Sequence, residues 1–80
     1  MAAVAYVLIE AKPGAGGDIV SAIQALPQTI QAERVTGPYD VIAIVSVDRQ
    51  EMLGEFIRTQ IHGVEGIVRT TSCITEEFDS

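Results

Sequence analysis

The chain has little of what most chemistry needs: one cysteine, one histidine, no tryptophan and no asparagine in 80 residues. A single cysteine forms no internal disulfide and no multi-cysteine zinc site, and it fits a reducing compartment, so a cytoplasmic protein is expected. Basic residues are also scarce, 5 against 11 acidic ones, for a formal charge of -6. Neutralising phosphates takes clustered Lys and Arg, so direct binding to nucleic acid is not expected. No apolar run approaches the roughly 18–20 residues of a membrane span. The start, Met-Ala-Ala-Val, carries no basic stretch, so neither a membrane anchor nor a secretory signal is expected. The length allows one domain, residues 1–80, with no room for a DNA-binding module beside a sensor.

What is abundant is β-branched. Ile and Val together number 19 against 3 Leu, a composition suited to pleated, buried surface. A domain of this size buries only about 60–65% of its unfolded surface. Without disulfides or a metal cage, oligomerisation is the expected source of extra stability.

Residues 3–11 read as a first strand, and Lys12-Pro13-Gly14-Ala15-Gly16-Gly17 as a loop. Asp18 opens a helical period in which Ile19, Ile23 and Leu26 share a face, and Pro27 ends it. Residues 29–36 read as a more polar strand at a sheet edge. Gly37-Pro38 is a turn, and residues 40–47 form the most apolar strand. Asp48 and Glu51 have the spacing of a capping box before a helix whose apolar face is Leu53, Phe56, Ile57 and Ile61. Residues 67–75 form a fourth strand, followed by an acidic tail at Glu76 and Glu77.

The order βαββαβ predicts an α+β, ferredoxin-like fold, one antiparallel four-stranded sheet with two helices on one face. Its other face should be polar in a monomer. Yet Val4, Tyr6 and Leu8 alternate with Ala5, Val7 and Ile9, and Ile42 and Ile44 with Val41, Ala43, Val45 and Val47, so both faces are apolar. Two sheets packed face to face in a two-fold dimer would bury the second.

Several residues invite chemistry and then lose the case for it. Gly14-x-Gly16-Gly17 follows a strand and precedes a helix, but Ile19 breaks the dinucleotide fingerprint. His62 sits at a helix end with no ligand partner in spacing, which favours a structural role. Cys73 lacks an activating neighbour and reads as a small buried hydrophobe. Glu51 and Glu55 read as a wet helix face, and nothing singles out Glu10. Neither a metal, a cofactor nor a catalytic residue is assigned.

The segment Val35-Thr36-Gly37-Pro38-Tyr39-Asp40 stands apart. Gly37 lets a backbone bend or a ligand approach. Asp40 opens a strand, where Asp is disfavoured unless it acts locally, either by bonding the hairpin backbone or by holding a ligand's ammonium. Free N–H groups beside it would suit a carboxylate, which together is the minimum for a zwitterionic α-amino acid.

This segment resembles the Val-Thr-Gly-x-Tyr-Asp hairpin of the effector-binding (RAM) domain of the Lrp/AsnC, or feast/famine, regulators. Residues 52–61 match that domain's second helix, and Gly66-Ile67-Val68-Arg69-Thr70-Thr71-Ser72 is similar to the start of its last strand, with Glu65 in place of Pro and Ser72 in place of Thr. The likeness covers nearly the whole chain, and the family's helix-turn-helix has no counterpart in it. The resemblance implies dimers with apposed sheets, in an α/β barrel-like arrangement, often assembled further into octamers. It implies a small effector, usually an amino acid, bound between dimers by Thr36, Gly37, Pro38, Tyr39 and Asp40, with Thr70 and Ser72 across the cleft. Hairpin main chain would take the carboxylate and Asp40 the ammonium. Co-assembly with a full-length, DNA-binding regulator of the family would carry the response to transcription. Two other classes stay open. One is a small dimeric enzyme, of the cofactor-free monooxygenase or isomerase type, that binds between sheet and helices. The other is a purely structural assembly partner.

Overall fold

Strand alternation decides which residues go inward. In the computed structural model, which describes residues 2–76, Ala5, Val7, Ile9, Val41, Ala43 and Val45 have no exposed surface at all. Their alternates Val4, Leu8, Ile42 and Ile44 are only half-buried. The fully buried set belongs to one core with Ile19, Ile23, Leu53, Phe56, Ile57 and Ile61 of the helical segments. Both helices therefore cover the same face of the sheet.

The elements are β1 (Ala3–Ala11), α1 (Gly16–Gln24), β2 (Thr29–Arg34), β3 (Val41–Val47), α2 (Leu53–Phe56) and β4 (Ile67–Ile74). The sheet runs β2-β3-β1-β4, with all three pairings antiparallel. This is the expected α+β, ferredoxin-like fold, with the most apolar strands β1 and β3 in the centre and the polar β2 at an edge. The acidic tail from Glu77 onward lies outside the described residues.

Helix α1 ends two residues before Leu26. The Thr29 hydroxyl donates to the Ile23 carbonyl at 2.7 Å and Leu26 N–H to the same oxygen at 3.0 Å, so side chain and turn together satisfy that carbonyl near the helix end. Asp18 lies in the first turn, where a carboxylate suits the helix dipole.

The second helical segment departs from the regular helix expected over its length. A 3-10 turn (Gln50–Met52) leads into α2, and a π turn (Ile57–Ile61) follows, closed by His62 N–H on the Ile57 carbonyl at 2.9 Å. Thr59 donates its hydroxyl to the Glu55 carbonyl at 2.8 Å, a back-bond that loosens helical turns. The Asp48–Glu51 capping box does not form. Arg49, in extended conformation, takes the cap position, with no side-chain cap bond, because the tight first turn begins one residue later than the motif requires.

Cys73 is exposed rather than buried. Strand β4 is an edge, and Cys73 lies opposite Tyr6, which is itself 43% exposed on the face without helices.

Candidate effector site

Strand β1 runs past the start of β3. The last matched pair is Ile9 with Val41, which leaves the Ala11 N–H with no β3 residue beside it, although β4 flanks its other side. The Asp40 carboxylate takes that place: its Oδ2 accepts the Ala11 N–H at 2.8 Å, while Asp40 N–H donates to the Ile9 carbonyl at 2.8 Å. This accounts for an aspartate at a strand start. The bond is to the neighbouring strand and not to Asp40's own hairpin. It uses one carboxylate oxygen, and no other hydrogen bond reaches that carboxylate among the described residues.

The hairpin is closed by Val35 N–H on the Asp40 carbonyl at 2.9 Å. Within the loop the N–H groups of Thr36, Gly37 and Tyr39 have no backbone partner among the described residues, and Thr36 and Gly37 are exposed. Gly37 has φ +145°, a conformation nearly confined to glycine. Pro38 stiffens the step before Tyr39. The Tyr39 hydroxyl reaches Thr71 Oγ1 at 3.3 Å, a long O–H···O contact.

Thr36 to Asp40 thus form one cluster at the end of the sheet. Thr70 and Ser72 do not join it within this chain. Thr70 pairs with Ile9 and Ser72 with Val7, so both point to the helix side, while Thr71 pairs with Leu8 on the open side and meets Tyr39. Thr70 Oγ1 lies 2.8 Å from His62 Nε2, which gives the only histidine a structural partner. Ser72 lines an open groove of about 660 Å³ between α2 and the β4 edge, with Gln50, Glu51, Leu53, Gly54, Ile57 and Ile74. The two-residue period within β4 alone separates Thr71 from Thr70 and Ser72.

Beside the hairpin, on the helix side, is a smaller cleft of about 210 Å³. Its walls are Ala11, Lys12, Pro13, Gly14 and Gly16 from the β1–α1 connection, Arg34 and Val35 from the end of β2, and Asp40. The cation Arg34 carried no signal in the sequence. It follows a polar run, and only the register of β2 on β3, pairing it with inward-facing Val41, turns it toward α1. There its side chain lies over Gly16, where a Cβ would come within 3.3 Å of its Nε. Among the described residues no group of three or more His, Cys, Asp or Glu is placed to hold a metal ion.

A family model described as the Lrp/AsnC ligand binding domain matches residues 4–77. Among curated proteins none matches. Among solved structures, TTHA0845 from Thermus thermophilus is 31% identical, with a TM-score of 0.88 over 98% of each chain. AsnC of E. coli is 17% identical, with a TM-score of 0.86, and the match covers 95% of this chain and 52% of that one. The regulator NMB0573 of Neisseria meningitidis, solved as a complex with L-Met, is 13% identical, with a TM-score of 0.83 over 94% of this chain and 50% of that one. The last two likenesses speak for the fold. The family model, together with a full-length structural match at 31% identity, makes this chain a member of the Lrp/AsnC ligand-binding domain family.

Proposed function

We propose that the protein is a cytoplasmic, non-enzymatic regulatory module that binds a zwitterionic α-amino acid at the hairpin Thr36, Gly37, Pro38, Tyr39 and Asp40. Asp40 carries the reading: one oxygen of its carboxylate is held by Ala11 N–H and the other is left to accept an ammonium. The L-Met bound by the Neisseria regulator supports the ligand class. Thr70 and Ser72 face away from this hairpin in their own chain, so they would contact an effector only across a boundary between copies.

The assembly follows from the sheet. Val4, Leu8, Ile42 and Ile44 are half-buried and Tyr6 is 43% exposed on the face without helices. A second copy with its sheet apposed covers that face, as in a dimeric α/β barrel, and dimers assemble further, up to octamers. Effector binding between dimers shifts assembly through its differential affinity for the two states, and co-assembly with a DNA-binding family member passes the signal to transcription. For the enzyme reading, the groove between α2 and β4 offers Gln50, Glu51 and Ser72, but the one imidazole is engaged with Thr70.

The test is thermal stability against each of the twenty amino acids. A ligand at about 100 times its Kd adds about 2.7 kcal/mol for one site, on the order of 10 °C in a domain this small. Asp40→Asn keeps an oxygen for Ala11 N–H and removes the charge, so it should abolish the shift while leaving the unliganded melt nearly unchanged. A panel flat for all twenty would refute the reading.

A further inference from the structure

The hairpin N–H groups are the carboxylate partner that the family resemblance implies. The cleft on the helix side of Asp40 offers a different one. Arg58 and Arg69 stand beside Glu55 and Glu10, at 3.9 and 3.4 Å. Arg34 has no such partner among the described residues, although it and Asp40 line the same cleft. Two opposite charges therefore share a cavity of about 210 Å³ without meeting across it. That volume lies below the roughly 300–1,000 Å³ of pockets for drug-sized ligands, and it suits a small solute. Lys12 lines the same walls and brings a second cation. Two cations and one anion make this cleft locally positive on a chain of net charge -6.

We propose that the cleft takes an acidic α-amino acid, aspartate or glutamate. Arg34 holds the α-carboxylate through its planar fork of donors. Asp40 accepts the ammonium with the oxygen that Ala11 does not use, and Lys12 pairs with the side-chain carboxylate. The charges of the ligand, two negative and one positive, are the complement of those on the walls. Gly16 also lines the cleft, and a Cβ there would come within 3.3 Å of the Arg34 Nε, displacing that group by a few tenths of an ångström. This inference rests on the amino-acid reading above and names its substrate class and its carboxylate partner.

Titration calorimetry of the full chain with L-glutamate, L-aspartate, L-glutamine and glutarate tests it. Glutamate or aspartate should bind, glutamine should bind about ten- to a hundredfold more weakly for want of one charge-assisted contact, and glutarate, which lacks the ammonium, should be similarly weakened. Arg34→Gln should weaken the acidic ligand by about ten- to a hundredfold, and Lys12→Gln should remove the preference for glutamate over glutamine. Arg34 and Lys12 are exposed, so an unliganded melting temperature equal to wild type verifies that each variant folds. Equal affinity for glutamine and glutamate, or wild-type glutamate affinity in Arg34→Gln, overturns the proposal. If a neutral amino acid binds, is lost in Asp40→Asn and is untouched by Arg34→Gln, the hairpin reading stands and this one falls. If no amino acid binds the wild type, both fall.

Discussion

Gly66 is where the fold makes its sharpest demand on one residue. It has φ +98°, and a Cβ built on it would lie 2.7 Å from the Ala15 Cβ, closer than such atoms approach. Gly66→Ala therefore meets two costs. The left-handed backbone adds roughly 1–2 kcal/mol. Forcing a methyl into an occupied space adds about 1–3 kcal/mol. Loss of glycine's freedom in the unfolded chain returns about 0.4–1 kcal/mol. The expected net destabilisation is about 1.5–4 kcal/mol, a large share of the 5–15 kcal/mol typical of a domain. The two costs are separable. In an Ala15→Gly background the 2.7 Å contact vanishes, and the next atoms, Ile19 Cδ1 and Cγ1, stand at an ordinary 3.6 and 3.8 Å. Ala15 is the N-cap of α1, where glycine is tolerated at least as well as alanine, so the background itself should be mild. Urea unfolding of the four proteins, at one protomer concentration, should give a favourable coupling of about 1–3 kcal/mol between the two sites. Additive effects would refute the steric account. A loss under about 0.5 kcal/mol in the single variant would refute the backbone account as well.

The two other expectations concern the layers. Ile9 has no exposed surface and Ile30 is 61% exposed, so Ile9→Ala should cost about 2–5 kcal/mol and Ile30→Ala within about 0.5 kcal/mol in the same unfolding assay; similar losses at both would contradict the assigned inward face. Ile44→Lys places a charge on the open sheet face, opposite Tyr6, and should give a folded monomer by sedimentation velocity, whereas an unchanged assembly would exclude that face as the contact.

How far these features could be read in advance follows from the range of the forces behind them. Two-residue alternation is local, and it sorted β1 and β3 into two apolar sets and marked them as the central strands, but which set the helices cover, Ala5, Val7 and Ile9 in β1, is decided by the packing of the whole chain. The four apolar positions Leu53, Phe56, Ile57 and Ile61 are likewise all buried. The change from 3-10 to α to π turns along their segment was not legible, because it depends on how the backbone, loosened at the Thr59 back-bond to Glu55, settles against a core that is already packed. Cys73 read as buried on its residue type, but its exposure follows from β4 being an edge, which is a matter of strand order. The Asp48–Glu51 pair had the right spacing for a capping box and the wrong local geometry. The hairpin motif located Asp40, but its bond to Ala11 depends on β1 outrunning β3, a property of the pairing register. Arg34 was invisible for the same reason: only pairing with Val41 turns it toward Gly16.

The same register explains why one chain holds only part of the expected site. Consecutive residues of β4 face opposite sides, so Thr70, Thr71 and Ser72 cannot all attend one ligand. Thr71 is tied to the hairpin by Tyr39, on the face that a second copy would cover, while Thr70 is held by His62 on the other. Asp40 sits between these sides, anchored to the end of β1. On the proposed reading, a ligand on the helix side of Asp40 would meet Arg34 and Lys12 of the same chain, whereas Thr70 and Ser72 do not line that cleft in their own chain. Recognition of the ligand's charges would then be a property of the protomer, and recognition of the remainder a property of the assembly. Under the proposed function, that division would let a small ligand alter how the copies assemble, since the second set of contacts would exist only in the assembled state.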